Sequence, residues 1–413
     1  MGLFCDDGRN TVSERIFLGR QPIFDRVRNV IGYELLYRDG FANFANFQDA
    51  DEATRQVASN ALVEMGIDQL TSGGLAFINV TRSFLLEGLY RALPSHRVVL
   101  ELLEDEQVDE LLLEKLKELQ KEGYRFALDD FSLNSLHDEL IERSAIVKID
   151  LPLCPPKELS GLVDRLKSRG ALLLAEKVET PEDFAICHAL GFDLFQGYFF
   201  TRPQVLSSHR ITSNRLSVLQ LLAELSSPSS DIEHLGEIIN QDIGLTYRTL
   251  RLANSGFFSL PKQVQDIREA LVMLGINAVN NLAVLIAFTT IDDKPNELTT
   301  LALVRAKMSE KLAEQLNLDC RAAFTVGMLS VLDALLDSPM ATVVEQLPLT
   351  PDIRAALVHK KGPLGILLDA VVGYERGEPE KADQLEVPSE LTARSYVQSV
   401  VWAEDLCANV VTV

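Results

Sequence analysis

Between Arg15 and Pro203 the chain alternates short apolar runs with amphipathic stretches, and this alternation limits the fold more than any other feature. Residues 30–38 (VIGYELLYR), 75–80 (LAFINV), 97–102 (RVVLEL), 125–129, 145–150 (AIVKID) and 171–176 (ALLLAE) each read as a strand, and DLFQGYFF closes the set. Between them lie helical patterns. In residues 107–123, Val108, Leu111, Leu112, Leu116 and Leu119 share one face and Gly123 is placed to stop the helix. Residues 157–170 read as a helix ending at Gly170. Residues 180–191 offer Thr180 as N-cap, Pro181 at the first position and Gly191 past the end. Such alternation predicts a parallel sheet with helices outside it.

The strands share a second property. Their carboxyl ends carry Asn79, Glu101, Asp129 with Asp130, Lys148, Glu176 and Gln196, while Glu34 lies on the first strand read. A (β/α) barrel builds its site from polar residues at the C-terminal ends of several strands. The fold expected is therefore α/β, a TIM-like barrel. Asp129 and Asp130 pose a physical problem, because adjacent carboxylates repel and desolvating either is costly. A positive partner must be near, or the pair stands in open water. Glu34, Asn79, Glu101, Asp129 and Asp130 are hard oxygen donors that suit Mg²⁺ or Mn²⁺ better than zinc. Two such ions about 3.5–4 Å apart could activate a water for in-line attack on a phosphodiester. Lys148 could neutralise the aspartate pair or orient that water.

After Pro203 the pattern changes to helical periodicity with few strand signals, so residues 12–205 and 206–413 are expected to be separate domains, the second all-helical. Charged, proline-containing stretches at 292–297 and 375–390 read as solvated loops. Hydrophobic residues make up 47% of the 413, enough for two full cores, and the formal charge of −21 argues against non-specific nucleic-acid binding. The five cysteines have no C-x-x-C spacing, and the six histidines are dispersed. Free thiols, no leader and no membrane-length apolar run give the expectation of a cytoplasmic protein with no membrane segment.

In sequence order, YELLYR, INV, ELLE, ALDDF, KID, AEKVE and QGYFFTRP fall at Glu34, Asn79, Glu101, Asp129, Lys148, Glu176 and Gln196. Together they resemble the motifs of EAL domains, bacterial cyclic di-GMP phosphodiesterases. The resemblance implies cyclic di-GMP as partner and Mg or Mn as cofactor. It implies Glu34, Asn79, Glu101, Asp129 and Glu176 as metal ligands, with Asp130 touching a second ion and Lys148 positioning water. Arg38, Gln196 and Pro203 would contact substrate, and Glu104 and Glu179 would support the site. The helical half is similar to HDOD domains through residues 239–258 and the LANS block, but GMLSVLDAL at 327–335 holds no histidine for a metal pair. It therefore reads as a module for a protein partner. By analogy with EAL domains, a homodimer through the barrels is implied.

The chain departs from the family in places. DDFGTGYSSL is DDFSLNSLHDEL here, losing glycines that let the loop turn tightly. EAL is ELL, and EGVE is EKVE, which brings Lys177 near the site. The function expected is cyclic di-GMP signalling by an EAL-type domain that binds and, where the loop permits, hydrolyses the dinucleotide. The alternatives are an inactive cyclic di-GMP receptor and a nucleotide-free scaffold.

Overall fold

The computed structural model describes residues 16–39, 67–103, 108–129, 138–201, 294–347 and 349–411, with short pieces at 250, 253–254, 264–270 and 272–273. Eight strands close into a barrel in sequence order. They are β1 (Ile16–Phe24), β2 (Val30–Asp39), β3 (Leu75–Asn79), β4 (Val98–Leu103), β5 (Arg125–Asp129), β6 (Ile146–Asp150), β7 (Leu172–Glu176) and β8 (Leu194–Gln196). From β2 to β8 each neighbouring pair is parallel, as the alternation predicts.

The first strand corrects that expectation, for β1 runs antiparallel to both β2 and β8. The sequence reading passed over it because Gly19, Arg20, Gln21 and Pro22 interrupt its apolar residues. Only a tight turn joins β1 to β2, which permits no parallel crossover. Asp25 Oδ1 builds that turn by accepting from the amides of Val27 at 2.9 Å and Asn29 at 2.8 Å.

Helices α1 (Ile67–Thr71), α2 (Arg82–Leu86), α3 (Glu110–Lys121), α4 (Asp138–Arg143), α5 (Pro156–Lys167) and α6 (Pro181–Leu190) belong to the barrel half. Leu112, Leu116 and Leu119 of α3 are buried as its periodicity predicts, whereas Leu111 is exposed. Asp109 caps α3, and Gly123 follows it at φ 86°. Thr180 and Asp183 form a reciprocal capping box at the start of α6, and Gly191 ends it at φ 98°. Strand side chains divide by the two-residue pleat. Ile23, Phe77, Val99, Ala127, Ile146, Leu174 and Leu194 fill the barrel's interior. Ile78, Leu100, Phe126, Leu128, Val147, Ile149 and Leu173 belong to the larger core outside it. Each such side chain contributes roughly 1.5–3 kcal/mol by burial.

The C-terminal half is helical: α7 (Asn296–Gln315), α8 (Cys320–Leu329), α9 (Leu332–Leu336), α10 (Met340–Glu345), α11 (Pro351–His359), α12 (Gly362–Glu375), α13 (Pro379–Asp383) and α14 (Ser389–Val411). Two stretches expected to be solvated loops are partly buried where they are described. Glu297 is buried in the first turn of α7. Within 375–390, Glu375, Ala382, Leu385 and Val387 are buried and α13 forms. Most of the helices expected between 206 and 291 lie outside the described residues. There the LANS asparagine, Asn254, pairs with the Val264 backbone like a peptide group: its Nδ2 donates to the carbonyl at 2.8 Å and its Oδ1 accepts from the amide at 2.7 Å. No helix among the described residues is long and apolar enough to cross a membrane.

Candidate metal centre at the barrel rim

The pleat that fills the interior also builds the site. Two positions beyond the interior residues Phe77, Val99, Ala127, Ile146, Leu174 and Leu194 stand Asn79, Glu101, Asp129, Lys148, Glu176 and Gln196. A two-residue step keeps a side chain on the same face and moves it one layer toward the rim. Gln21 and Glu34 face each other in the β1–β2 register and complete the ring.

Lys148 sits at its centre with no exposed surface. Its Nζ lies 2.8 Å from Glu101 Oε1, 2.8 Å from Asp129 Oδ1, 2.9 Å from Glu176 Oε1 and 3.5 Å from Glu34 Oε2. Asn79 Nδ2 donates to Glu34 Oε1 at 3.0 Å. Gln196 Nε2 donates to Glu34 Oε2 at 2.5 Å and to Gln21 Oε1 at 3.0 Å. Lys148 thus supplies the positive charge that Asp129 required.

One ammonium faces four carboxylates, so the ring holds surplus negative charge away from water. Burial pushes the Glu101 carboxyl well above its ordinary range and Glu176 up to about 8, against the pull of Lys148. For Glu34 the burial penalty is outweighed by Lys148 and by hydrogen bonds from Gln196 and Asn79, and its carboxyl is held below the usual value. Lys148 is held well above its own despite burial, by Glu101, Glu34, Glu176 and Asp129. Divalent cations suit this donor set. One carboxylate oxygen from each of Glu34, Glu101 and Asp129 lies within 4.8 Å of the others. Glu101 Oε2 is buried without a hydrogen-bond partner among the described residues. Carboxylate and amide oxygens are the ligands Mg²⁺ and Mn²⁺ prefer.

Sequence comparison identifies the architecture. The profile of the EAL domain matches residues 13–203, and that of the HDOD domain matches residues 214–341. The uncharacterized protein YuxH of Bacillus subtilis is 32% identical over 404 residues, which span 95% of this chain and 99% of the relative. The cyclic di-GMP phosphodiesterase CdgJ of Vibrio cholerae is 33% identical over 400 residues, spanning 94% and 93%. The chain belongs to the EAL–HDOD family. An EAL domain structure from Listeria monocytogenes, 22% identical, aligns over 45% of this chain and 87% of that one with a TM-score of 0.37.

Of the residues singled out in the EAL half, Glu34, Asn79, Glu101, Asp129, Lys148, Glu176 and Gln196 come together. Arg38 lies on β2, with only its backbone described; Glu104, Asp130 and Pro203, with the altered loop after Asp130, fall outside the described residues. Glu179 is exposed in the connection between β7 and α6. Lys177, expected near the site, turns to form an ion pair with buried Asp150 at the end of β6. Its φ of 54° explains why a glycine suits this position of the EAL motif. Gln21 was missed because its strand was missed. An uncommon polar residue before Pro22 was the available signal.

Proposed function

We propose that the EAL-type barrel binds cyclic di-GMP and hydrolyses it to the linear dinucleotide in a reaction that requires Mg²⁺ or Mn²⁺. Residues 12–205 form the nucleotide-handling domain and 206–413 an interaction module for a protein partner. The observation that carries this reading is the convergence of Glu34, Asn79, Glu101, Asp129 and Glu176 from five strands around Lys148. Likeness to the cyclic di-GMP phosphodiesterase CdgJ along almost the whole chain supports it.

In this reading the five residues hold the metal with Asp130. Bound there, a divalent cation would supply Lewis acidity toward a phosphodiester. In this reading Lys148 would orient the nucleophilic water once metal takes over the carboxylates that now hold its ammonium. Gln196 and Asn79 fix both oxygens of Glu34, so that the carboxylate presents one geometry instead of many. Arg38 offers a guanidinium for a substrate phosphate.

Calorimetric titration of the full chain with cyclic di-GMP, with and without Mg²⁺ or Mn²⁺, followed by product analysis, tests the proposal. Linear dinucleotide that forms only with metal supports it. Binding without product reduces the barrel to a receptor, and no binding leaves it a scaffold. Glu34→Ala is expected to abolish metal-dependent hydrolysis with the far-UV circular dichroism unchanged; undiminished turnover would remove Glu34 from the site.

A further inference from the structure

Behind the rim, the outer face of β1 and β2 is covered by the helical half. Tyr33 stands next to Glu34 on β2, so the pleat turns it away from the ring. It is buried, and its hydroxyl donates to Glu297 Oε2 of α7 at 2.7 Å. Arg20, adjacent to Gln21 on β1, stacks its guanidinium 4.1 Å from the centre of the Tyr33 ring. It also pairs with Glu404 of α14 at 2.5 Å and donates to the Leu70 carbonyl at 2.9 Å. A second tie leaves β8. Tyr198, two residues past Gln196, donates its hydroxyl to the Glu375 carbonyl of α12 at 2.9 Å, and Arg376 lies 5.0 Å over its ring. Glu375 is itself gripped by Arg305 of α7 through bonds of 2.7 and 2.9 Å. All of these groups save Glu404, Tyr198 and Arg376 are buried.

One tie therefore ends on β2, which carries Glu34, and the other just past the end of β8, which carries Gln196; these two residues are joined by the 2.5 Å bond at the rim. Strands β1, β2 and β8 are also the part of the barrel where the parallel pattern is broken. β8 pairs with β1 only at Ile23–Gln196 and Phe24–Phe195, so few ladder bonds hold the seam between β8 and β1. We infer that Tyr33 and Tyr198 are positioning residues for the metal centre, through which the helical half braces β2 and β8 and so fixes Glu34 against Gln196. This inference rests on the reading of Glu34 as a metal ligand. A ligand must be held to within about half an ångström for tight coordination, and loss of a group that holds a ligand typically weakens metal binding about 10- to 100-fold. It also gives the helical half a means of acting on the site without touching substrate: a partner that draws α7 away from the barrel releases the Tyr33 tie, and one that draws α12 away releases the Tyr198 tie.

The test is Mn²⁺ binding to the full chain, measured by calorimetry with no nucleotide present. Tyr33→Phe and Tyr198→Phe are each expected to weaken Mn²⁺ about tenfold, the low end of the range for such groups. Glu297→Leu should match Tyr33→Phe, whereas Glu297→Gln, whose amide oxygen still accepts from Tyr33, should retain wild-type affinity. Tyr124→Phe is the control, since Tyr124 also donates a buried bond, to Leu93 at 2.8 Å, but does so within the barrel and away from the rim. It should lower the melting temperature in chelator and leave Mn²⁺ affinity unchanged. If Tyr33→Phe does not fold, Tyr198→Phe and the two Glu297 variants decide the matter. Wild-type affinity in Tyr198→Phe and Glu297→Leu overturns the brace, as does an equal loss in Tyr124→Phe. A wild-type chain that binds no Mn²⁺ overturns instead the metal reading on which the brace depends.

Discussion

Lys148 is where sequence and site meet most directly. A lysine in the middle of a strand, between Val147 and Ile149, is costly to bury unless carboxylates surround it. Four do. Removing the ammonium leaves their charge uncompensated, so Lys148→Met is expected to cost about 3–5 kcal/mol in metal-free buffer. Added Mn²⁺ should recover part of that loss, and urea denaturation with chelator or with Mn²⁺ measures both. Lys177 gives a smaller test. It occupies a left-handed conformation, φ 54°, that favours glycine, and compensates through its ion pair with Asp150. Lys177→Ala and Lys177→Gly both lose the pair, but only glycine relieves the backbone. The glycine variant should be the more stable by about 1 kcal/mol in the same assay.

Among the elements, Val178 past the end of β7 and the residues at and past the end of β8 lock one another. Val178 donates its amide to the Gln196 carbonyl at 3.0 Å and accepts from the Phe199 amide at 3.0 Å. Gly197 lies between those partners at φ 142°, and a Cβ there would stand 2.2 Å from the Val178 carbonyl oxygen. Neither backbone can yield, so Gly197→Ala should cost more than about 2 kcal/mol and displace Gln196. Thermal unfolding and Mn²⁺ titration would show both effects. Six strand ends were legible in the sequence because the two-residue pleat puts one polar residue beyond each interior apolar one, a pattern that needs no distant partner. β1 was not legible. Gly19 and Pro22 weaken its strand signal, and Arg20 reads as solvent-facing until the helical half is known to cover it. Helical apolar spacing alone also runs unbroken from Cys320 to Leu336, whereas the helix is interrupted at Ser330 and Val331.

At the scale of the molecule, the largest departure from the sequence reading is the contact between the halves. Glu297 sits in a charged, proline-containing stretch, and local composition predicts solvent. Its burial depends on a tyrosine 264 positions earlier in the chain. Burial pushes its carboxyl up to about 7; Arg20 opposes this and Glu404 adds to it. Arg20 faces it from β1, Tyr33 from β2, Glu375 from α12, and Tyr396 and Glu404 from α14. Unfolded, the group would ionise near its ordinary 4.5. Between that pH and about 7 the folded chain keeps a proton that the unfolded chain gives up, so this contribution to stability is full below 4.5 and is lost as pH rises through 7. Glu297→Gln removes the dependence. Wild type should therefore lose stability relative to Glu297→Gln by on the order of 3 kcal/mol between pH 4 and 8, read from urea denaturation of both proteins.

Strand β2 has two addresses, with Glu34 delivered to the rim and Tyr33 to the helical half. Because successive side chains point to opposite sides, inserting or deleting one residue upstream of this pair without re-pairing the strand would exchange the two deliveries, dropping a phenol into the acidic ring and a carboxylate against α7. Descendants of this chain can therefore alter the strand by substitution or by changes of two residues at a time, but not by one.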